Sequence, residues 1–170
     1  MDALKRKQAA FFRNFIYGVE DSLVSTVGLL SGVAVAAATK ETILLSGIVL
    51  IFVEAFSMSV GSFLSESSAE EYIKTDESEI SDHSAKAAVI MFFSYFISGF
   101  VPLAPYLLFE IRIAFWVSII LSLIALLALG VITAKISRGN KLKSAIKMFF
   151  FGGIAIGLGV IVGQTVAHFS

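Results

Sequence analysis

Two kinds of side chain that bind metal ions stand where hydrocarbon is expected. Glu54 and Met58 are four residues apart in the run EAFSMSVGSFLSESSAEE, Glu54–Glu71, and so share one face of a helix. Asp21, with Glu20 before it, interrupts an earlier apolar run. A carboxylate inside a bilayer is costly enough to need a reason. Carboxylate oxygens with one soft sulfur suit a borderline divalent ion such as ferrous iron or manganese, whereas calcium and magnesium sites are built from oxygen alone. A methionine by itself is ordinarily packing, and it is the spacing from Glu54 that makes Met58 a ligand candidate. Glu66 and Glu70 repeat the four-residue spacing, with Glu71 beside them, at an acidic, serine-rich end that must lie in water. The pattern is that of a metal path with an acidic mouth.

The elements that position these residues must be membrane helices. Of the 170 residues, 57% are hydrophobic and 15% charged, and the mean hydropathy is +0.89. A water-soluble domain would carry about a quarter charged residues, so an integral membrane protein is expected. Cysteine is absent, which excludes disulfides and thiolate metal sites. A net charge of zero offers no basic surface to nucleic acid. Neither a nucleophile with its base nor a nucleotide-binding loop stands out, so the chain is not expected to be an enzyme, and no cofactor is implied.

Five apolar segments are long enough to span a bilayer: about residues 16–38, 42–64, 87–108, 113–134 and 146–167. The expected fold is an all-α polytopic membrane protein, one transmembrane domain over residues 1–170. Its basic start, with Phe11, Phe12 and Phe15 interleaved, suits a short interfacial helix. The apolar segment that follows is too long for a signal-peptide core, so it is expected to remain as the first span. Pro102 and Pro105 sit where the third helix can kink or stop, and Trp116 opens the fourth span at interface depth. A basic loop, residues 135–147, leads into the glycine-rich fifth span. Gly28 and Gly32, at GxxxG spacing, are expected at a dimer seam, and the fifth-span glycines at close helix contacts.

Between the second and third spans lies a polar loop, residues 65–85, with Glu66, Glu70, Glu71, Asp76, Glu77, Glu79 and Asp82. It reads either as a metal collector built from Glu66, Glu70 and Glu71, with Glu77 a further candidate, or as a solvated linker. His83 and His168 carry no expected role. Five spans put the termini on opposite sides of the membrane. With the N-terminus in the cytosol, Lys5, Arg6, Lys7, Arg13, Lys74, Lys86, Lys135, Arg138, Lys141, Lys143 and Lys147 are inside and only Lys40 and Arg112 outside. The acidic loop then faces the cytosol.

At a rise of about 1.5 Å per residue, Asp21 lies roughly 7 Å into the first span and Met58 roughly 9 Å into the second from the same side. Glu54 is one turn deeper and Glu20 is at the mouth. No cation inside the spans is expected to pair with Asp21 and Glu54. Buried carboxylates without metal hold protons, and a divalent cation displaces them, which is a physical basis for metal–proton antiport.

The residues that carry this argument resemble the vacuolar iron transporter family of ferrous iron and manganese exporters. GVEDSLVSTVGLLSG at Gly18–Gly32 is similar to the family's first-helix motif with its aspartate, FVEAFSMSVGSFLSESSAEE at Phe52–Glu71 to its second-helix SMxxG motif, and PLAPY at Pro102–Tyr106 to a third. The resemblance implies a five-helix homodimer, a path between the two first helices, and exchange of cytosolic metal for protons. It makes Asp21 the family's intramembrane aspartate and Met58 its methionine. Ser62 stands where family members usually have glutamate, and Glu54 where many have a small residue, as if the carboxylate had moved two turns along the helix. Vacuolar members insert a long helical metal-binding domain where this chain has only the stretch 65–85.

The function expected is therefore export of ferrous iron, or manganese, from the cytosol against protons, in a cell membrane or a vacuole-like organelle membrane. A passive divalent-metal channel and a non-transporting scaffold with an acidic recruitment loop are the alternatives. A pH gradient separates exchanger from channel, and loss of Asp21 separates both from a scaffold.

Overall fold

The computed structural model describes residues 3–72, 77–137 and 139–169. They form five helices: α1 (Ala3–Val35), α2 (Lys40–Tyr72), α3 (Glu77–Leu108), α4 (Ile111–Ile136) and α5 (Lys141–Phe169). There is no strand among the described residues. All five helices contain a segment long and apolar enough to cross a membrane. The chain is an all-α, multi-pass integral membrane protein.

The helices outrun the apolar segments. The interfacial helix expected at the N-terminus is instead the first part of α1, one continuous element of 33 residues. Likewise most of the stretch 65–85 is helix and not loop: α2 continues to Tyr72 and α3 begins at Glu77. The physical reason is composition. Glutamate and alanine are good helix formers, and nothing between Ser62 and Tyr72 is a glycine or proline that would end the helix where the hydrocarbon ends. Asp76 lies outside the described residues, as do the side chains of Glu77, Glu79 and Asp82. The basic loop expected over 135–147 also shrinks, since α4 ends at Ile136 and α5 starts at Lys141. Pro102 and Pro105 are accommodated inside α3, and the Ser118 hydroxyl of α4 donates to the Pro102 carbonyl at 2.7 Å. The turn from α1 to α2 passes through Ala37 at φ 58°, a left-handed position where glycine is the usual residue.

Helix α1 is the central element. It packs chiefly on α3 and α5, and α2 leans on α3 far more than on α1. Leu30, Ile43, Ile51, Leu103, Tyr106 and Ala114 form one buried cluster, and Leu23, Leu126, Leu129 and Met148 another. Lipid offers no hydrophobic drive between helices, so close van der Waals contact must hold them together. The closest contact is between α1 and α5. A Cβ on Gly159 would lie 2.0 Å from the Gly28 carbonyl oxygen, and one on Gly163 2.1 Å from that of Gly32. Gly28 and Gly32, expected at a dimer seam, therefore meet α5 of the same chain. Gly153 and Gly157 face away from this seam, with nothing within 4 Å of an added Cβ.

Candidate functional site

The loose contact between α1 and α2 leaves a cavity of about 750 Å³ at the end of the bundle that carries the N-terminus. Helix α1 contributes Arg13, Asn14 and Glu20 to its wall, α2 contributes Met58, Ser62 and Glu66, and α3 contributes Met91. The cavity exists because this face of α2 is built from small residues, Ser57, Gly61, Ser62 and Ser65. Helix α3 comes close because α1 has Gly18 there: a Cβ at that position would sit 2.9 Å from the Ser94 Cβ and 3.1 Å from the Met91 sulfur. That approach turns a second thioether, to which the sequence analysis gives no role, toward the same space as Met58.

Asp21 and Glu54 do not line this cavity. They lie within electrostatic range of each other, and both act on the Tyr95 phenol of α3. Tyr95 is fully buried, its hydroxyl 2.7 Å from the Ser25 hydroxyl, and its carbonyl accepts a 2.6 Å hydrogen bond from the Ser22 hydroxyl. The depth expected from sequence sets Asp21 level with Met58; in the structure Glu20 shares the cavity wall with Met58, and Asp21 is within electrostatic range of Glu54. Helix geometry is the reason, because consecutive residues point about 100° apart and Glu20 and Asp21 cannot both face one side chain. Tyr95 was detectable in principle as part of a polar patch, Ser94, Tyr95 and Ser98, within an apolar span.

The acids toward the end of α2 have protein partners. Glu66 is only 7% exposed, pairs with the Arg13 guanidinium and accepts a 3.3 Å hydrogen bond from the Asn14 amide. The Ser62 hydroxyl donates to the Asn14 Oδ1 at 3.0 Å. Glu70 has the His83 Nδ1 2.6 Å from Oε1, off the line of a hydrogen bond, and its Oε2 accepts from the Ser84 hydroxyl at 3.1 Å. His83, to which no role was assigned, is thus buried against Glu70, with its ring tilted 35° to that of Phe11 at 4.9 Å. Glu71 is exposed. Among the described residues no three His, Asp or Glu side chains come together as a preformed metal site. Protein cations stand near the outer acids: Arg13 reaches Glu66, and Lys147 of α5 acts on Glu20.

A model of the VIT family matches residues 12–83 and 73–164, nearly the whole bundle. The chain belongs to the VIT family. A curated relative, the vacuolar iron transporter homolog 5 of Oryza sativa subsp. japonica, is 26% identical over 162 residues, covering 89% of this chain and 78% of the relative. The first matched segment of this VIT family chain contains Glu20, Asp21, Glu54, Met58 and the Glu66–Glu71 group, and the second contains Met91 and Tyr95.

Proposed function

We propose that the protein exports a divalent transition metal, ferrous iron or manganese, from the cytosol in exchange for protons. Membership of the VIT family and the likeness to a vacuolar iron transporter homolog support metal-ion transport. The observation that carries the finer reading is the Asp21–Glu54 pair, two carboxylates within electrostatic range of each other inside the membrane region. Like charges at that depth hold a proton between them until a divalent cation replaces it. The cavity beside them supplies Glu20, the Met58 and Met91 sulfurs and, at its mouth, Glu66. Oxygen with soft sulfur favours a transition metal over calcium or magnesium.

The excess of Lys and Arg on one side argues that the cavity opens to the cytosol, with the C-terminus across a cell or vacuolar membrane. The proposal includes the homodimer that the resemblance implies; the metal ion and protons are the substrates, and no resident cofactor is needed. Ferrous iron uptake into liposomes containing the purified protein tests the reading. Uptake should quicken when the lumen is acidic and slow when the pH difference is collapsed. Uptake indifferent to the gradient would favour a passive channel, and none at all a scaffold.

A further inference from the structure

We propose that Arg13 is a tethered competitor for the transported cation: its guanidinium holds the Glu66 carboxylate at the mouth of the cavity, and a divalent metal ion enters by taking Glu66 from it. The inference rests on the proposed function for the nature of the cation.

The two partners are unequally placed. Glu66 is 9% exposed at its side chain, whereas the Arg13 side chain is 67% exposed. A buried carboxylate without a counter-charge is strongly disfavoured, so Glu66 needs a cation beside it. Arg13 has no such need, because an exposed guanidinium released from its partner is taken up by water. The pair is therefore built to exchange its cation and keep its acid. Asn14 makes the exchange cheap in structure. Its amide nitrogen donates both to the Ala10 carbonyl at 3.0 Å and to Glu66 Oε1 at 3.3 Å, while its oxygen accepts from Ser62 at 3.0 Å. This frame keeps the carboxylate aimed when the guanidinium leaves.

The cavity also has somewhere for the ion to go. Glu66 and Arg13 share its wall with Glu20, Met58 and Met91. Both outer acids already have a protein cation in range, Arg13 for Glu66 and Lys147 for Glu20. Among the described residues neither Asp21 nor Glu54 forms an ion pair. Charge compensation thus falls from the mouth inward, so a cation that displaces Arg13 meets increasingly uncompensated carboxylate. Because α1 and α2 pack so lightly, releasing Arg13 also loosens the mouth itself.

The chain has no cysteine, so Ser57→Cys, on the cavity wall, is a unique reporter. Its labelling by a charged, membrane-impermeant thiosulfonate reads access, and protection by manganese reads occupancy. In Arg13→Gln, labelling without metal should be faster and the manganese concentration for half-protection lower, each by roughly three- to tenfold, the net worth of one ordinary hydrogen bond. Arg13→Lys, which keeps the charge and loses the fork, should fall between. On a Glu66→Gln background, Arg13→Gln should add nothing. Unchanged access and midpoint in Arg13→Gln, a raised midpoint, or no protection by manganese in any variant would overturn the competition. Should Arg13→Gln not fold, Arg13→Lys decides alone: a lowered midpoint supports the proposal and an equal or higher one ends it. The readout is occupancy and not flux. A protein that shows the competition yet moves no metal would keep this inference and lose the exchange reading.

Discussion

Replacing Asp21 by alanine is expected to reduce metal flux by at least about 100-fold, more than loss of an outer-shell partner of a metal site brings. The argument is electrostatic. Asp21 and Glu54 lie within electrostatic range of each other and of the Tyr95 phenol, whose hydroxyl is 2.7 Å from that of Ser25. A divalent ion needs both negative charges, and one carboxylate alone in hydrocarbon prefers a proton. Glu54→Gln should therefore be nearly as damaging as Asp21→Ala. The double variant should be little worse than either single, the signature of residues that act as a unit. Liposome flux of the three variants, beside wild type, measures this. Additive losses would mean that the two acids serve separate steps.

The second large effect is on the fold. Gly159→Ala should destabilise the protein by about 1–3 kcal/mol, the usual range for overpacking, or by more because the obstacle is backbone. The added methyl would stand 2.0 Å from the Gly28 carbonyl oxygen, so α1 and α5 must separate. Gly163→Ala, 2.1 Å from the Gly32 carbonyl oxygen, should behave the same way. Gly157→Ala, on the same helix with nothing within 4 Å, should be neutral or stabilising by up to about 1 kcal/mol, since alanine is the better helix former. Thermal melting in detergent separates the two groups. Equal melting of Gly159→Ala and Gly157→Ala would show that the α1–α5 seam does not hold the bundle.

The five helices were legible in the chain, and Asp21, Glu54 and Met58 stood out as candidates, because hydrocarbon makes each polar residue conspicuous. What was not legible depends on rotation and on reach. Hydropathy marks where lipid ends, not where a helix ends, so α2 and α3 were cut short at Leu64 and Ala87 and their extensions taken for a loop. The pairing of Glu20 with Met58, and of Asp21 with Glu54, is set by the rotation of α1 against α2, which spacing within one helix cannot convey. Arg13 and Asn14 precede the first apolar segment and only reach Glu66 and Ser62 because α1 is continuous. His83 was discounted as a loop residue for the same reason. The GxxxG spacing of Gly28 and Gly32 showed that some helix must come close, and it took the structure to show that the helix is α5.

The central claim is exchange, and it is tested most directly by counting protons against metal in the same vesicles. Manganese is added outside liposomes loaded with a pH-sensitive dye, with the membrane voltage clamped, and metal uptake and lumen pH are recorded together. The account predicts that the lumen becomes alkaline in fixed proportion to the metal taken up, and that both signals vanish in Asp21→Ala. Metal uptake with no accompanying pH change would contradict it.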